Sequence, residues 1–167
     1  MGVGRGVHGY FMWQKAQGSP AVGSVMSPLS VPQVARLLGN AGLLPFILGA
    51  MFAIVWDDWA TLVATGLGYY TLAIVSFLAG AWWGIALLKR EPVMLFTSNA
   101  VVVAAWAATL ILDSKWALAV LCILLILTLI VENRHPMFAP QPNYYRRMRL
   151  RLTGVATLSL IVVIAVA

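Results

Sequence analysis

Five long apolar runs punctuate the chain: Val34–Trp56, Leu62–Leu88, Val93–Leu112, Trp116–Val131 and Leu150–Ala167. None carries a charge in its central turns, and a hydrocarbon core of roughly 30 Å needs about 20 such residues per helix. Leu118–Val131 (LAVLCILLILTLIV) is apolar on every face, whereas membrane β-strands alternate polar and apolar positions over about ten residues. The pattern therefore predicts an all-α integral membrane bundle of five transmembrane helices. In lipid a helix satisfies each backbone polar group within its own segment, which an open strand cannot do.

Short connections, WDDWAT, KREP and DSK, join antiparallel neighbours, and one longer loop runs from Glu132 to Arg149. They predict one transmembrane domain over 34–167. Residues 1–33 are rich in Gly, Ser and Pro and read as a flexible polar leader, with the first span acting as its own uncleaved signal. Met26 opens MSPLSVPQVARLLG, a compact start, so residues 1–25 are expected to be untranslated and His8 and Trp13 carry little functional weight.

Composition agrees with a lipid solvent: 62% apolar residues, 10% charged and a mean hydropathy of +0.90 lie far from a soluble domain of this size. Charge then sets the topology. With the N-terminus in the cytoplasm, ten of the eleven Lys and Arg residues fall on that side and only Lys115 lies opposite. The C-terminus is predicted outside, and the setting is a bacterial cytoplasmic (inner) membrane. Trp56, Trp59 and Trp116 flank the outer hairpins and Tyr144 and Tyr145 mark the inner surface, where half-wet rings anchor a helix.

Small residues supply the first candidate surface. Ser76, Gly80 and Gly84 recur every four positions in the second span, and Ala100, Ala104 and Ala108 do the same in the third. That spacing places each set on one helix face and predicts a close-packed hairpin, with a homodimer contact as the alternative.

Polar residues supply the second. Pro45 deprives the Ala41 carbonyl of its helical partner and predicts a kink near Gly39–Gly42. Tyr69, Tyr70, Thr71, Thr97, Ser98 and Asn99 are expected to hydrogen-bond between helices. The functional alternative is a polar pocket built from Asn40, Tyr69, Tyr70, Ser76 and Asn99. Arg146, Arg147, Arg149 and Arg151 form the strongest charge cluster, fit to set topology and to contact anionic lipid or a protein partner.

Catalytic chemistry finds no foothold in the pattern. Cys122 is single, His8 and His135 join no metal-ligand cluster, and Asp57-Asp58 reads as turn chemistry. No Ser-His-Asp set, phosphate-cradling loop or buried ionisable pair is legible, so no enzyme activity, metal, cofactor or nucleic-acid partner is expected.

Taken together, Leu38–Phe46 (LGNAGLLPF), Tyr70–Leu87 (YTLAIVSFLAGAWWGIAL), Trp106 and Pro142–Thr153 (PNYYRRMRLRLT) resemble the domain of unknown function 3429 family, small membrane proteins related to transmembrane protein 69. Trp82 stands where the family pattern has a His or other polar residue, and Val101 where it has a Pro. The resemblance implies an inner-membrane or mitochondrial-type setting and supplies no activity. The chain is expected to be a non-catalytic accessory or assembly partner of a membrane complex. Five spans with seven Trp residues also invite comparison with the tryptophan-rich sensory proteins, and the alternative is a carrier or receptor for a small apolar ligand.

Overall fold

The computed structural model describes residues 30–167; the leader up to residue 29, with the Met26 start, lies outside the described residues. Its helices are α1 (Val31–Ala41), α2 (Leu44–Val55), α3 (Ala60–Lys89), α4 (Pro92–Ile111), α5 (Ser114–Arg134) and α6 (Asn143–Val166). Among the described residues, five stretches are long and apolar enough to cross a membrane, α1 and α2 together making the first. The expected bounds shift by three residues or more at three places and by one or two at the others. The first span starts at Val31, α5 runs on to Arg134, and α6 begins at Asn143.

The first span breaks where Pro45 predicts it. Leu43 N–H bonds the Asn40 carbonyl at 3.1 Å, the regular ladder resumes with Ile47 N–H on Leu43, and Pro45 sits in the opening turn of α2. A proline there costs little, since those first N–H groups have no helical partner. Tyr70 Oη donates to the Gly42 carbonyl at 3.0 Å and so satisfies an acceptor at the break.

The α3–α4 hairpin closes in a tight C-cap. Arg90 takes a left-handed φ of 57°, its N–H meets the Leu87 carbonyl, and Glu91 N–H reaches the Ala86 carbonyl at 2.9 Å. Pro92 then opens α4. This is a Schellman ending, which returns orphan carbonyls to use and turns the chain in three residues.

Packing places α3 at the centre, against α2, α4, α5 and α6. Its buried face runs Ala60, Ala64, Leu67, Thr71, Val75, Ala79, Trp82 and Ala86, a spacing of three and four. The main core joins Phe46, Ala50, Leu67, Val75, Leu118, Leu121, Leu125 and Leu160. A second cluster at one end joins Trp82, Ala86 and Met94 to Met137 and Phe138 from the α5–α6 connection, which folds back over the bundle. We term it the basic end, since Arg36, Lys89, Arg90, Arg134 and the Arg-rich start of α6 fall there.

The expected small-residue hairpin face is not the one that packs. Gly80 and Gly84 are exposed, a side chain built at either would meet nothing within 4 Å, and Ala100 and Ala104 are exposed as well. Ser76 is half-buried and only Ala108 lies in the core. α3 and α4 do pair, and their buried residues Val75 and Ala105 share one core cluster and Trp82 and Met94 the other. The rotation of α3 follows from Trp82, whose indole N–H finds its partner inside the bundle; Gly80 and Gly84 lie on the opposite side of the same turns.

Most polar side chains within the spans also depart from expectation. Thr71 bonds the Leu67 carbonyl, Thr97 that of Val93, and Ser98 and Asn99 that of Leu95, all in the preceding turn of their own helices. Such back-bonding satisfies a hydroxyl or amide without a second helix. Of the six, Tyr70 is the one that crosses to another span.

Candidate functional site

The chemistry-bearing cluster lies at the basic end, where α3, α5 and α6 meet. Thr128 and Glu132 stand one turn apart in α5, and Arg149 and Thr153 stand one turn apart in α6, so each pair shares a face. Arg149 Nε donates to Glu132 Oε2 at 2.7 Å, and its Nη2 reaches Glu132 Oε1 at 3.3 Å. Nη1 donates to Thr153 Oγ1 at 3.0 Å and Nη2 also to Thr128 Oγ1 at 3.3 Å. Trp82 Nε1 completes the carboxylate, donating to Oε1 at 3.0 Å.

Glu132, Arg149 and Trp82 are only 6%, 7% and 1% exposed. Burying two charges costs several kcal/mol per ion, by order of magnitude, unless attraction and further hydrogen bonds offset it. Here both carboxylate oxygens have partners, and no buried side-chain polar atom among the described residues is left unpaired. With its oxygens occupied, Glu132 is held as a fixed counter-charge that ties three spans together. Gln141 adds a bond from the connection to the Glu132 carbonyl at 3.3 Å, and Lys89 Nζ holds the Ala139 carbonyl at 3.0 Å.

Two expectations fall here. The buried ionisable pair that was not legible is present. Arg149, expected to contact lipid or a partner, turns inward. The reason is helix length: the apolar runs stop at Val131 and start again at Leu150, but both helices continue beyond them because the charged residues at their ends neutralise each other. The available signal was the pair of one-turn spacings, Thr128/Glu132 and Arg149/Thr153, on neighbouring spans.

Beside this network lies a cavity of about 390 Å³, lined by Phe77, Leu78, Trp82, Ile85, Phe138 and Tyr145 together with Glu132 and Lys89. Trp82 and Phe138 meet with ring centroids 5.6 Å apart. A second cavity of about 480 Å³ opens between α1 and α6, lined by Arg36, Asn40, Asn143, Tyr144, Arg147 and Arg151. Arg146 faces neither; it lines a smaller recess with Asn133 and His135.

The five residues of the expected polar pocket do not converge. Asn40 borders the α1–α6 cavity, whereas Tyr69 is 62% exposed and lines a recess near Thr109 and Ser114 at the far end. Tyr70 serves the α1–α2 break, Asn99 is exposed and bonded to its own helix, and Ser76 is half-buried elsewhere on α3. Their positions on the helical wheel point them apart. Among the described residues, no group of three or more His, Cys, Asp or Glu side chains is placed to hold a metal ion.

Residues 31–165 match the family described as "Protein of unknown function (DUF3429)". The chain is similar to Transmembrane protein 69 of Xenopus tropicalis, 30% identical over 135 residues that cover 78% of this chain and 53% of that protein. Transmembrane protein 69 of Mus musculus is 25% identical over 158 residues, covering 91% of this chain and 64% of the relative. The chain thus spans about half to two thirds of the length of these curated relatives. No solved structure matches it.

Proposed function

The chain belongs to the DUF3429 family of proteins of unknown function, and on that premise we propose that it is a non-catalytic accessory or assembly partner of a larger membrane complex. It sits in the bacterial inner membrane with the basic end in the cytoplasm. The observation that carries this reading is the outward face of α3, where Gly80 and Gly84 stand exposed with open space before them. Glycines one turn apart let a second helix approach to backbone contact, the usual basis of helix association in lipid. The bundle closes without that face, which leaves it for another chain. The Lys/Arg bias supports the orientation.

In-cell crosslinking and affinity capture of the tagged protein from native membranes test it. A stoichiometric membrane partner is the expected result; a lone monomer with no crosslinked product overturns the reading.

The cavity of about 390 Å³ favours a second reading, a carrier or receptor for a small apolar molecule, because its walls are mostly apolar and aromatic. A ligand held there raises the melting temperature, since binding stabilises the folded state. An unchanged midpoint across lipids, porphyrins and quinones would remove it.

A further inference from the structure

The cavity between α1 and α6 assembles an anion site out of two helices. On α6, Asn143, Arg147 and Arg151 recur every four residues and form one stripe; on α1, Arg36 and Asn40 do the same. Gly39 brings the two stripes together. A Cβ built there would lie 2.9 Å from Leu152 Cδ1, so the glycine lets α1 lie close against α6. We propose that this cavity binds the phosphate of an anionic phospholipid headgroup.

Charge balance is the first ground. Arg36, Arg147 and Arg151 face one cavity and have no carboxylate partner among the described residues, where the one ion pair is Arg149 with Glu132. Three guanidiniums around one space repel unless an anion enters. The donor set is the second. Arginine forks and asparagine amides offer many N–H groups and suit an anion with several oxygens, as phosphate has. Asn143 also opens α6, so the unpaired N–H groups and positive dipole end of that helix lie beside the cavity.

Position decides between a lipid and a soluble ion. The cavity lies at the ends of two membrane-crossing stretches, at headgroup level, and Met148 and Leu152 give it an apolar wall on which the start of an acyl chain can rest. α1 has no buried residue and exposes Leu37 and Leu38 beside Arg36, so apolar and basic side chains stand together at the start of the first crossing stretch. A volume of about 480 Å³ falls within the range of ligand pockets, roughly 300–1,000 Å³.

The test compares two triple variants of the full chain in detergent, by native mass spectrometry and thermal shift with phosphatidylglycerol, phosphatidylcholine and inorganic phosphate. R36Q/R147Q/R151Q empties the cavity of charge; R90Q/R134Q/R146Q removes the same charge from the same end outside it. All six side chains are exposed, so helicity by circular dichroism is expected to be unchanged. Each arginine that touches the bound headgroup contributes about five-fold, so the cavity variant loses about a hundred-fold affinity for phosphatidylglycerol, while the other three, which do not line the cavity, contribute far less in detergent, where no anionic surface surrounds them. Equal losses in both variants, or equally tight phosphatidylcholine binding by the wild type, overturn the site. Displacement of bound phosphatidylglycerol by inorganic phosphate at comparable concentration overturns the lipid assignment and gives the cavity to a soluble phosphate.

Discussion

Arg149 Nε donates to Glu132 Oε2 at 2.7 Å, joining the last turn of α5 to the second turn of α6 inside the bundle. Neither charge reaches solvent freely, so each is tolerable only because of the other. Removing one partner leaves an uncompensated buried charge, a loss of about 3–5 kcal/mol. Glu132→Ala and Arg149→Ala are each expected to destabilise by that order. The double variant Glu132→Leu/Arg149→Met recovers part of the loss, because apolar residues of similar volume often replace such a pair without penalty, but the buried Trp82 N–H is left without its acceptor. A double-mutant cycle on unfolding of the solubilised protein measures both.

Trp82 and Trp83 are adjacent, but only the first donates into the network. Trp82→Phe keeps an aromatic ring against Phe138 and removes the N–H, leaving Glu132 Oε1 with Arg149 Nη2 at 3.3 Å. A hydrogen bond to a charged acceptor contributes about 1.5–3 kcal/mol, and that loss is expected here. Trp83 is exposed, so Trp83→Phe is expected to be close to neutral. Equal losses in the two variants would show that bulk at the surface matters and the carboxylate does not.

The five crossings were legible because apolar run length answers directly to bilayer thickness, and so was the break at Pro45. The rotation of each helix was not. A GxxxG pattern signals close approach but not to which neighbour, and the choice is made by one hydrogen bond, Trp82 to Glu132, fifty residues apart. That bond was hidden because Glu132 lies one residue beyond an apolar run and reads as loop. Arg149 was hidden among its neighbours: Arg147 and Arg151, two residues to either side, turn to the α1–α6 cavity while Arg149 turns to the core, a division that only helical rotation makes.

At the break in the first span, Tyr70→Phe removes a single hydroxyl. The ring still meets Phe46, at a centroid distance of 5.2 Å, so the variant isolates the bond to the Gly42 carbonyl. Side-chain hydrogen bonds between membrane helices contribute about 0.6–1.7 kcal/mol, and a loss in that range is expected. Faster amide exchange around Leu43–Phe46 would accompany it, because the carbonyl at the turn loses its partner.

Gly49 marks the contact between α2 and α3. A Cβ there would meet three carbons of buried Leu67 at 2.9, 3.1 and 3.2 Å, whereas a Cβ at Gly66 would meet nothing within 4 Å. Overpacking of this kind costs about 1–3 kcal/mol, against a gain of about 1 kcal/mol in helix propensity for replacing glycine. Gly49→Ala is therefore expected to lower the thermal midpoint and Gly66→Ala to hold or raise it. Leu67→Val in the Gly49→Ala background should relieve part of the loss, which a simple helix-propensity effect would not allow.

The outward face of α3 makes the opposite prediction. Gly80→Leu and Gly84→Leu place a large side chain where nothing lies within 4 Å, so the isolated bundle has no reason to unfold. Replacing glycine within a helix also favours the helical state by about 1 kcal/mol. What such a side chain does block is the approach of a second backbone. The double variant is expected to keep or raise its melting temperature in detergent while losing the crosslinked partner in membranes. Leu62→Ala, exposed at the opposite end of α3, should leave that partner in place. If the double variant still captures the partner at the wild-type yield, the docking surface is not this glycine face. If it unfolds, α3 does not present that face outward.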